Sequence, residues 1–301
     1  MSRHFLHILD IPREEMLPLV QRAQQLKAVR AHSHLLAGKT ILLVFEKAST
    51  RTRLSFEMAV RELGGSSIFM TPMESQLGRS EPLKDSARVF SRYVHGLVVR
   101  TFGQEKLEEL VQFGEIPVVN ALTDTYHPCQ VMSDLLTMYE RTPDLQNQIV
   151  AWGGDGNNMA NSWINAAAQL GFQLQLAVPK GYEPDPRHIE QARHAGARIM
   201  LTHDPRQAVA GADYVNTDVW ASMGNEAEVE ERTRAFAGYL VDETLLQLAK
   251  PGAKVMHCLP AHRGEEISEA VMEGAASIVW DQAENRLHMQ KALLEWVFAP
   301  S

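Results

Sequence analysis

TILLVFEKASTRTRLSFEMAVRELGGSSIFM, residues 40–70, contains a complete strand–helix–strand unit. Thr40 to Phe45 is a short apolar run of the kind that forms a strand buried on both faces. Phe56, Ala59, Val60 and Leu63 then recur at helical spacing, and Gly64-Gly65 ends the helix. Ser66 to Met70 reads as the next strand. A helix between two such strands implies a parallel pair joined by a crossover.

The same alternation continues outward. GLVVRT (Gly96 to Thr101) and PVVN (Pro117 to Asn120) read as strands around a helix from Gln104 to Phe113, and a further helix runs from about Pro128 to Glu140. A second series starts at QIVAWGG (Gln148 to Gly154) and the helix Asn158 to Leu170. Its later strands are LQLAV (Leu174 to Val178), RIMLT (Arg198 to Thr202), DYVNTDV (Asp213 to Val219), KVMHCL (Lys254 to Leu259) and SIVW (Ser277 to Trp280). Glu284 to Phe298 reads as a terminal amphipathic helix. The expected fold is α/β: two doubly wound domains, each with a central parallel sheet flanked by helices, the C-terminal helix packing back on the first. The polar, proline-containing RTPDLQNQ marks the boundary, giving residues 1–142 with 284–301, and 143–283.

Composition narrows the function classes. A chain of 301 residues is long for one core, which fits two domains. A net charge of -8 argues against nucleic acid or an anionic membrane as partner, while leaving room for a local basic pocket. Cys129 and Cys258 are the only cysteines and lack metal-type spacing, so no metal is expected and a reducing cytoplasm is the simplest location. MSRHFLHILDIPREE meets charge too early for a secretory signal, and no apolar run approaches the roughly 18 residues a spanning helix needs.

Within the opening unit, Ser49, Thr50, Arg51, Thr52 and Arg53 put hydroxyls, two guanidiniums and free N–H groups at a helix start. Such a terminus favours anions through its dipole, and guanidiniums add forked donors that match phosphate. Two cations in a first turn disfavour an isolated helix, so a bound anion is the natural compensation. The alternative is a capped surface helix with solvated arginines. Arg100 ends a strand on the same sheet edge, where open α/β sheets bind ligands. In YHPCQ (Tyr126 to Gln130), His127 and Gln130 could donate to a carbonyl oxygen on which negative charge builds. Taken alone, a His-Pro turn that caps a helix explains them equally well.

In the second half, GGDGNN (Gly153 to Asn158) resembles a dinucleotide fingerprint, but Met159 occupies the third glycine position and no acidic residue ends the next strand. Its asparagines either meet a polar ligand or cap the following helix. DVWASMGNE offers the Asp218 carboxylate to a cationic amine, beside a loop of small residues from Ser222 to Gly224. Cys258 in HCLPAHRGEE is by default a small buried hydrophobe, reactive only where basic groups lower its pKa. Arg286 in ENRLH reads as a first-turn helix residue.

STRTR, VVRT, HPCQ, GDGNN, DVWASMG, HCLPAHRGEE and ENRLH, in this order, resemble the aspartate/ornithine carbamoyltransferase family over nearly the whole chain. DVWASMG and HCLP resemble its ornithine branch. The resemblance implies a first domain binding carbamoyl phosphate, a second binding ornithine, and no cofactor. Ser49, Thr50, Arg51, Thr52 and Arg100 would hold the phosphate. His127, Gln130 and Thr52 would polarise the carbamoyl carbonyl, helped by Arg286 and the Cys258–Leu259 backbone. Asn158, Asp218, Ser222 and Met223 would grip ornithine, with Asn157 a lesser contributor. Family members are commonly homotrimers with sites at subunit contacts, which would bring Gln76 to a neighbour's carbamoyl phosphate. Two departures are Ser80, where the family often has Gly, and Cys129, where a Thr or another small residue is common.

Three readings compete. One is a carbamoyltransferase for putrescine or an N-acylated ornithine; Asp218 speaks for free ornithine, whose α-ammonium it can pair. A second is a two-lobed binding protein, which has no need of the intact STRTR, HPCQ and Arg286 set. The third, a dehydrogenase, is disfavoured by Met159.

Overall fold

The computed structural model describes residues 3–29, 33–71, 81–220 and 229–299. The chain divides into two compact units, Met1–Leu136 with Glu284–Ser301, and Thr137–Ala283. Elements in the first half are α1 (Arg13–Ala28), β1 (Thr40–Phe45), α2 (Thr50–Glu62), β2 (Ser66–Met70), α3 (Leu83–Tyr93), β3 (Gly96–Arg100), α4 (Gln104–Phe113), β4 (Val118–Leu122) and α5 (Pro128–Tyr139). There follow β5 (Ile149–Gly153), α6 (Asn158–Leu170), β6 (Gln173–Ala177), α7 (Pro186–His194), β7 (Arg198–Thr202), α8 (Pro205–Val209) and β8 (Tyr214–Thr217). The last are α9 (Val229–Ala235), α10 (Glu243–Leu246), β9 (Lys254–His257), α11 (Glu269–Met272) and α12 (Val279–Phe298).

Both sheets are parallel among the described strands, with orders β2-β1-β3-β4 and β7-β6-β5-β8-β9. The direction of winding reverses between β1 and β3 in the first, and between β5 and β8 in the second. A crevice at the carboxyl end of such a pair is where open α/β sheets take ligands. STRTR and Arg100 leave β1 and β3, whose last paired residues are Phe45 and Arg100. GGDGNN and Asp218 leave β5 and β8, with Gly153 opposite Thr217. The strongest chemical motifs therefore sit at the two switch points.

Local chemistry explains the elements. β3 and β4 are buried at every position, as strands covered on both faces must be. Ser49 is the extended N-cap of α2, and its hydroxyl accepts from the Thr52 N–H at 3.3 Å. α2 then buries Phe56, Ala59 and Val60. In the first unit, Leu42, Val44, Leu97, Val99 and Val118 pack against Leu107 and Leu110 of α4. In the second, Ala151, Val215 and Val255 pack against Val271 and Met272 of α11.

One expected strand is absent. SIVW makes only a bridge between Ser277 and Val255, after which the chain turns helical and α12 begins at Val279. Short apolar runs suit a strand or a buried helix start equally, and here Asp281 places a favourable acid in the first turn. Arg286 consequently lies near the end of the second turn of α12, not in its first.

Within the first unit, the later part of α12 is fastened by packing and by charge. Gly96 lets Phe298 approach, since a Cβ there would lie 2.7 Å from its ring. Arg22 pairs with Glu295 at 2.6 Å, and the fully buried Lys291 pairs with Glu62 of α2 at 2.6 Å. Breaking a buried pair strands a charge, at a cost of about 3 kcal/mol or more. Glu62→Gln should therefore lower unfolding stability by about that amount. Lys291→Met combined with Glu62→Leu should restore most of it, because no charge is left buried. Chemical denaturation of the three proteins checks this; equal stability of Glu62→Gln and the parent contradicts it.

Candidate active site

At the first switch point, three guanidiniums surround one imidazole. Arg51 is in the first turn of α2, Arg100 ends β3 and is 8% exposed, and Arg286 on α12 is 4% exposed. Arg286 Nη2 donates to Thr52 Oγ1 at 2.6 Å, a contact between residues 234 positions apart. The Nε of Arg51 is buried without a hydrogen-bond partner, which suits a site that receives an anion. Ser49 accepts the capping bond with an oxygen lone pair, which leaves its O–H to donate, and Thr50 is exposed at the helix start.

Arg53 does not join this group. Its Nε donates to Glu57 at 2.8 Å and its guanidinium lies 3.7 Å from the Phe69 ring centroid. Of the two arginines in STRTR, only Arg51 serves the cluster.

His127 is buried, and its pKa is held well below the ordinary 6.5, first by burial and then by Arg286, Arg100 and Arg51. It is neutral at physiological pH, able to donate one hydrogen bond without adding charge. The sign of its effect on stability follows. Below pH 6.5 the unfolded chain binds this proton and the folded chain resists it, so the contribution present above pH 6.5 is lost as pH falls. His127→Gln should flatten the fall in Tm between about pH 6.5 and 5. An unchanged slope would contradict it.

Gln130 adds an acceptor to the sequence expectation. Its Nε2 donates to Asp134 Oδ1 at 2.8 Å, one turn along α5. That bond takes one of the two amide N–H groups, and the buried Oε1 has no hydrogen-bond partner. Oε1 is therefore an acceptor held in a buried place, beside the donor role that the sequence suggested for this residue. Cys129 stays inert: its thiol donates to the Asn120 carbonyl at 3.2 Å and burial pushes its pKa up to about 12.

Behind these residues stands a support that sequence reading missed. Past the last paired residues, the Glu46 N–H donates to the Arg100 carbonyl at 2.8 Å. The Glu46 carboxylate accepts from the Thr101 hydroxyl and from Lys106 at 2.7 Å. It ties the STRTR segment to the strand that carries Arg100.

The second switch point has its own geometry. Asn157 caps α6, accepting from the Met159 N–H at 2.9 Å, and the half-buried Asn158 is the first residue of that helix. Gly156 allows the chain near Pro184, whose N would lie 2.3 Å from an added Cβ. Asp218 Oδ1 accepts from Cys258 Sγ and from the Val219 N–H, at 2.9 and 2.8 Å. His257 is wholly buried; its Nε2 meets Glu266 Oε1 at 2.9 Å and its Nδ1 accepts the Leu259 N–H at 2.8 Å. Leu259 has a left-handed φ of 60° and is followed by a cis bond to Pro260. The Leu259 N–H is thus engaged within its own turn. Nothing in the sequence announced this turn.

Among the described residues, Asp218, His257 and Cys258 offer ligand-type atoms within 4.8 Å of one another, as do His262, Glu265 and Glu266. Both imidazole nitrogens of His257 and one oxygen of Glu266 are already bonded, so neither set is a ready cation cage. Gln76, Ser222 and Met223 lie outside the described residues.

A family model described as the aspartate/ornithine carbamoyltransferase carbamoyl-P binding domain matches residues 3–140, and one described as the Asp/Orn binding domain matches residues 146–297. The chain belongs to the aspartate/ornithine carbamoyltransferase family. Within that family it is 63% identical over 297 residues to an ornithine carbamoyltransferase from Oleidesulfovibrio alaskensis, covering 99% of each chain. It superposes on the ornithine carbamoyltransferase of Pyrococcus furiosus with a TM-score of 0.93 at 42% identity, covering 98% of this chain and 96% of that one. An anabolic ornithine carbamoyltransferase from Campylobacter jejuni gives a TM-score of 0.93 at 42% identity, covering 98% of each. Arg51, Arg100 and His127 fall in the carbamoyl-P binding part of this family's chain, and Arg286 and the Asp218–Cys258 group in the stretch matched by the Asp/Orn binding part.

Proposed function

We propose that this chain transfers the carbamoyl group of carbamoyl phosphate to the δ-amine of L-ornithine, giving L-citrulline and phosphate. The observation that carries the reading is the arginine triad of Arg51, Arg100 and Arg286 around a buried, neutral His127. A phosphate dianion attached to a carbonyl needs fixed positive charge at one end and an uncharged donor at the other. The relatives named ornithine carbamoyltransferase supply the acceptor.

In this reading Ser49, Thr50, Arg51, Thr52 and Arg100 hold the phosphate, with Gln76 reaching in from a neighbouring copy. His127, Thr52 and Arg286 polarise the carbamoyl oxygen, and Gln130 accepts from its amide. Asn158, Asp218, Ser222 and Met223 grip ornithine. The neutral δ-amine attacks the carbonyl carbon, a tetrahedral oxyanion forms, and C–O cleavage releases phosphate as the amine sheds its proton. Preorganised donors around the developing charge supply most of the rate enhancement. No redox change occurs, so no cofactor is invoked.

We assign the two functional domains to residues 1–142 with 284–301 and to 143–283, and the assembly to a homotrimer. Leu54 and Met58, one turn apart on α2, and Ile68 on the edge strand β2 are exposed apolar side chains of the first unit, at 59%, 36% and 50%, of the kind a second copy would cover. Arginine biosynthesis in the cytoplasm is the proposed setting. It is supported by the likeness to an anabolic relative, and no described helix is long and apolar enough to cross a membrane.

Phosphate release tests the reaction class. Purified protein with carbamoyl phosphate should release phosphate rapidly only when ornithine is added, with one citrulline formed per phosphate. Ornithine-independent release, or none, would contradict the reading.

A further inference from the structure

α5 carries a buried acid that the reaction above does not use. Asp134 is 0% exposed, and Gln130, four residues earlier on the same helix face, is 1% exposed. Burying a carboxylate is costly, and an apolar side chain would fill the same position without that cost. The contact it makes is directional. A carboxylate has acceptors only, so only the NH2 end of the Gln130 amide can face Asp134 Oδ1, at 2.8 Å. The carbonyl end is thereby turned away, and Oε1 is left buried with no hydrogen-bond partner.

We propose that Asp134 is a specificity-determining positioning residue. It holds the Gln130 amide in the one orientation that presents an acceptor to the ligand, so the site selects an acyl phosphate bearing an N–H donor over one bearing a methyl group. The inference rests on the carbamoyl phosphate reading. A primary amide can turn by half a revolution with almost no change in shape, exchanging acceptor for donor. Asp134 removes that freedom, because the turned amide would set its oxygen against a carboxylate oxygen. Acetyl phosphate has the charge and nearly the size of carbamoyl phosphate, yet its methyl group leaves Oε1 unsatisfied, and a buried polar atom without a partner is expensive. The other contacts of Asp134 make a purely structural role the alternative to be tested.

Asp134→Asn is the informative change, because an Asn can accept from or donate to the Gln130 amide and so tolerates both orientations. The KM for carbamoyl phosphate and the inhibition constants of acetyl phosphate and inorganic phosphate are measured for both proteins, with Tm as a control. The preference for carbamoyl over acetyl phosphate should fall by about tenfold. The inorganic phosphate constant should stay within about twofold, since phosphate does not reach the amide. An unchanged preference, or parallel weakening of all three ligands, would overturn the proposal. Should Asp134→Asn not fold, Gln130→Met decides: removing the acceptor must erode the same preference, and its retention overturns the proposal. Parent protein that neither binds carbamoyl phosphate nor forms citrulline would sink the functional reading itself. A competent parent whose preference survives Asp134→Asn sinks only the positioning role.

Discussion

Arg51→Ala lowers kcat/KM for carbamoyl phosphate about a thousandfold while leaving the fold intact. The guanidinium stands at a helix N-terminus where its Nε has no protein hydrogen-bond partner, so its removal costs the fold little and an incoming phosphate much. Arg100 and Arg286 remain near His127, and the loss is therefore large but not total. Arg51→Lys recovers only part of it, because an ammonium cannot present two donors in a fixed fork. Steady-state kinetics with saturating ornithine, alongside calorimetric titration of carbamoyl phosphate, gives the answer. Unaltered affinity and turnover would remove the phosphate assignment.

Asp218→Asn acts on the other substrate. The amide oxygen can still accept from the Cys258 thiol and the Val219 N–H, so the local structure has reason to persist. What disappears is the negative charge proposed to pair the α-ammonium of ornithine. We expect kcat/KM for ornithine to fall about a hundredfold, with carbamoyl phosphate affinity within about twofold of the parent. A change confined to carbamoyl phosphate would place Asp218 in the wrong half of the reaction.

The fold was legible because parallel strands covered on both faces must be apolar throughout. TILLVF, GLVVR and IVAWG announce themselves, and their ends match the structure to within a residue. SIVW misled because three apolar residues after Ser277 carry no period, and the chain turns helical at Val279. The anion site was legible in part. Arg51 and Arg53 are identical in type and two positions apart, which on a helix turns them to different sides. Sequence names both; Glu57 and Phe69 take one away. The donor–acceptor sense of Gln130 and the occupied nitrogens of His257 depend on partners met only after folding, and no spacing encodes them. Arg286 came from family resemblance alone, since its contact with Thr52 closes across most of the chain.

The most direct test is citrulline formation by the purified protein from carbamoyl phosphate and ornithine, with putrescine, N-acetylornithine and aspartate assayed in parallel. The account predicts rapid citrulline formation from ornithine and little carbamoylated product from the others. Preferred turnover of another acceptor, or no transfer to any of them by folded protein, would contradict it.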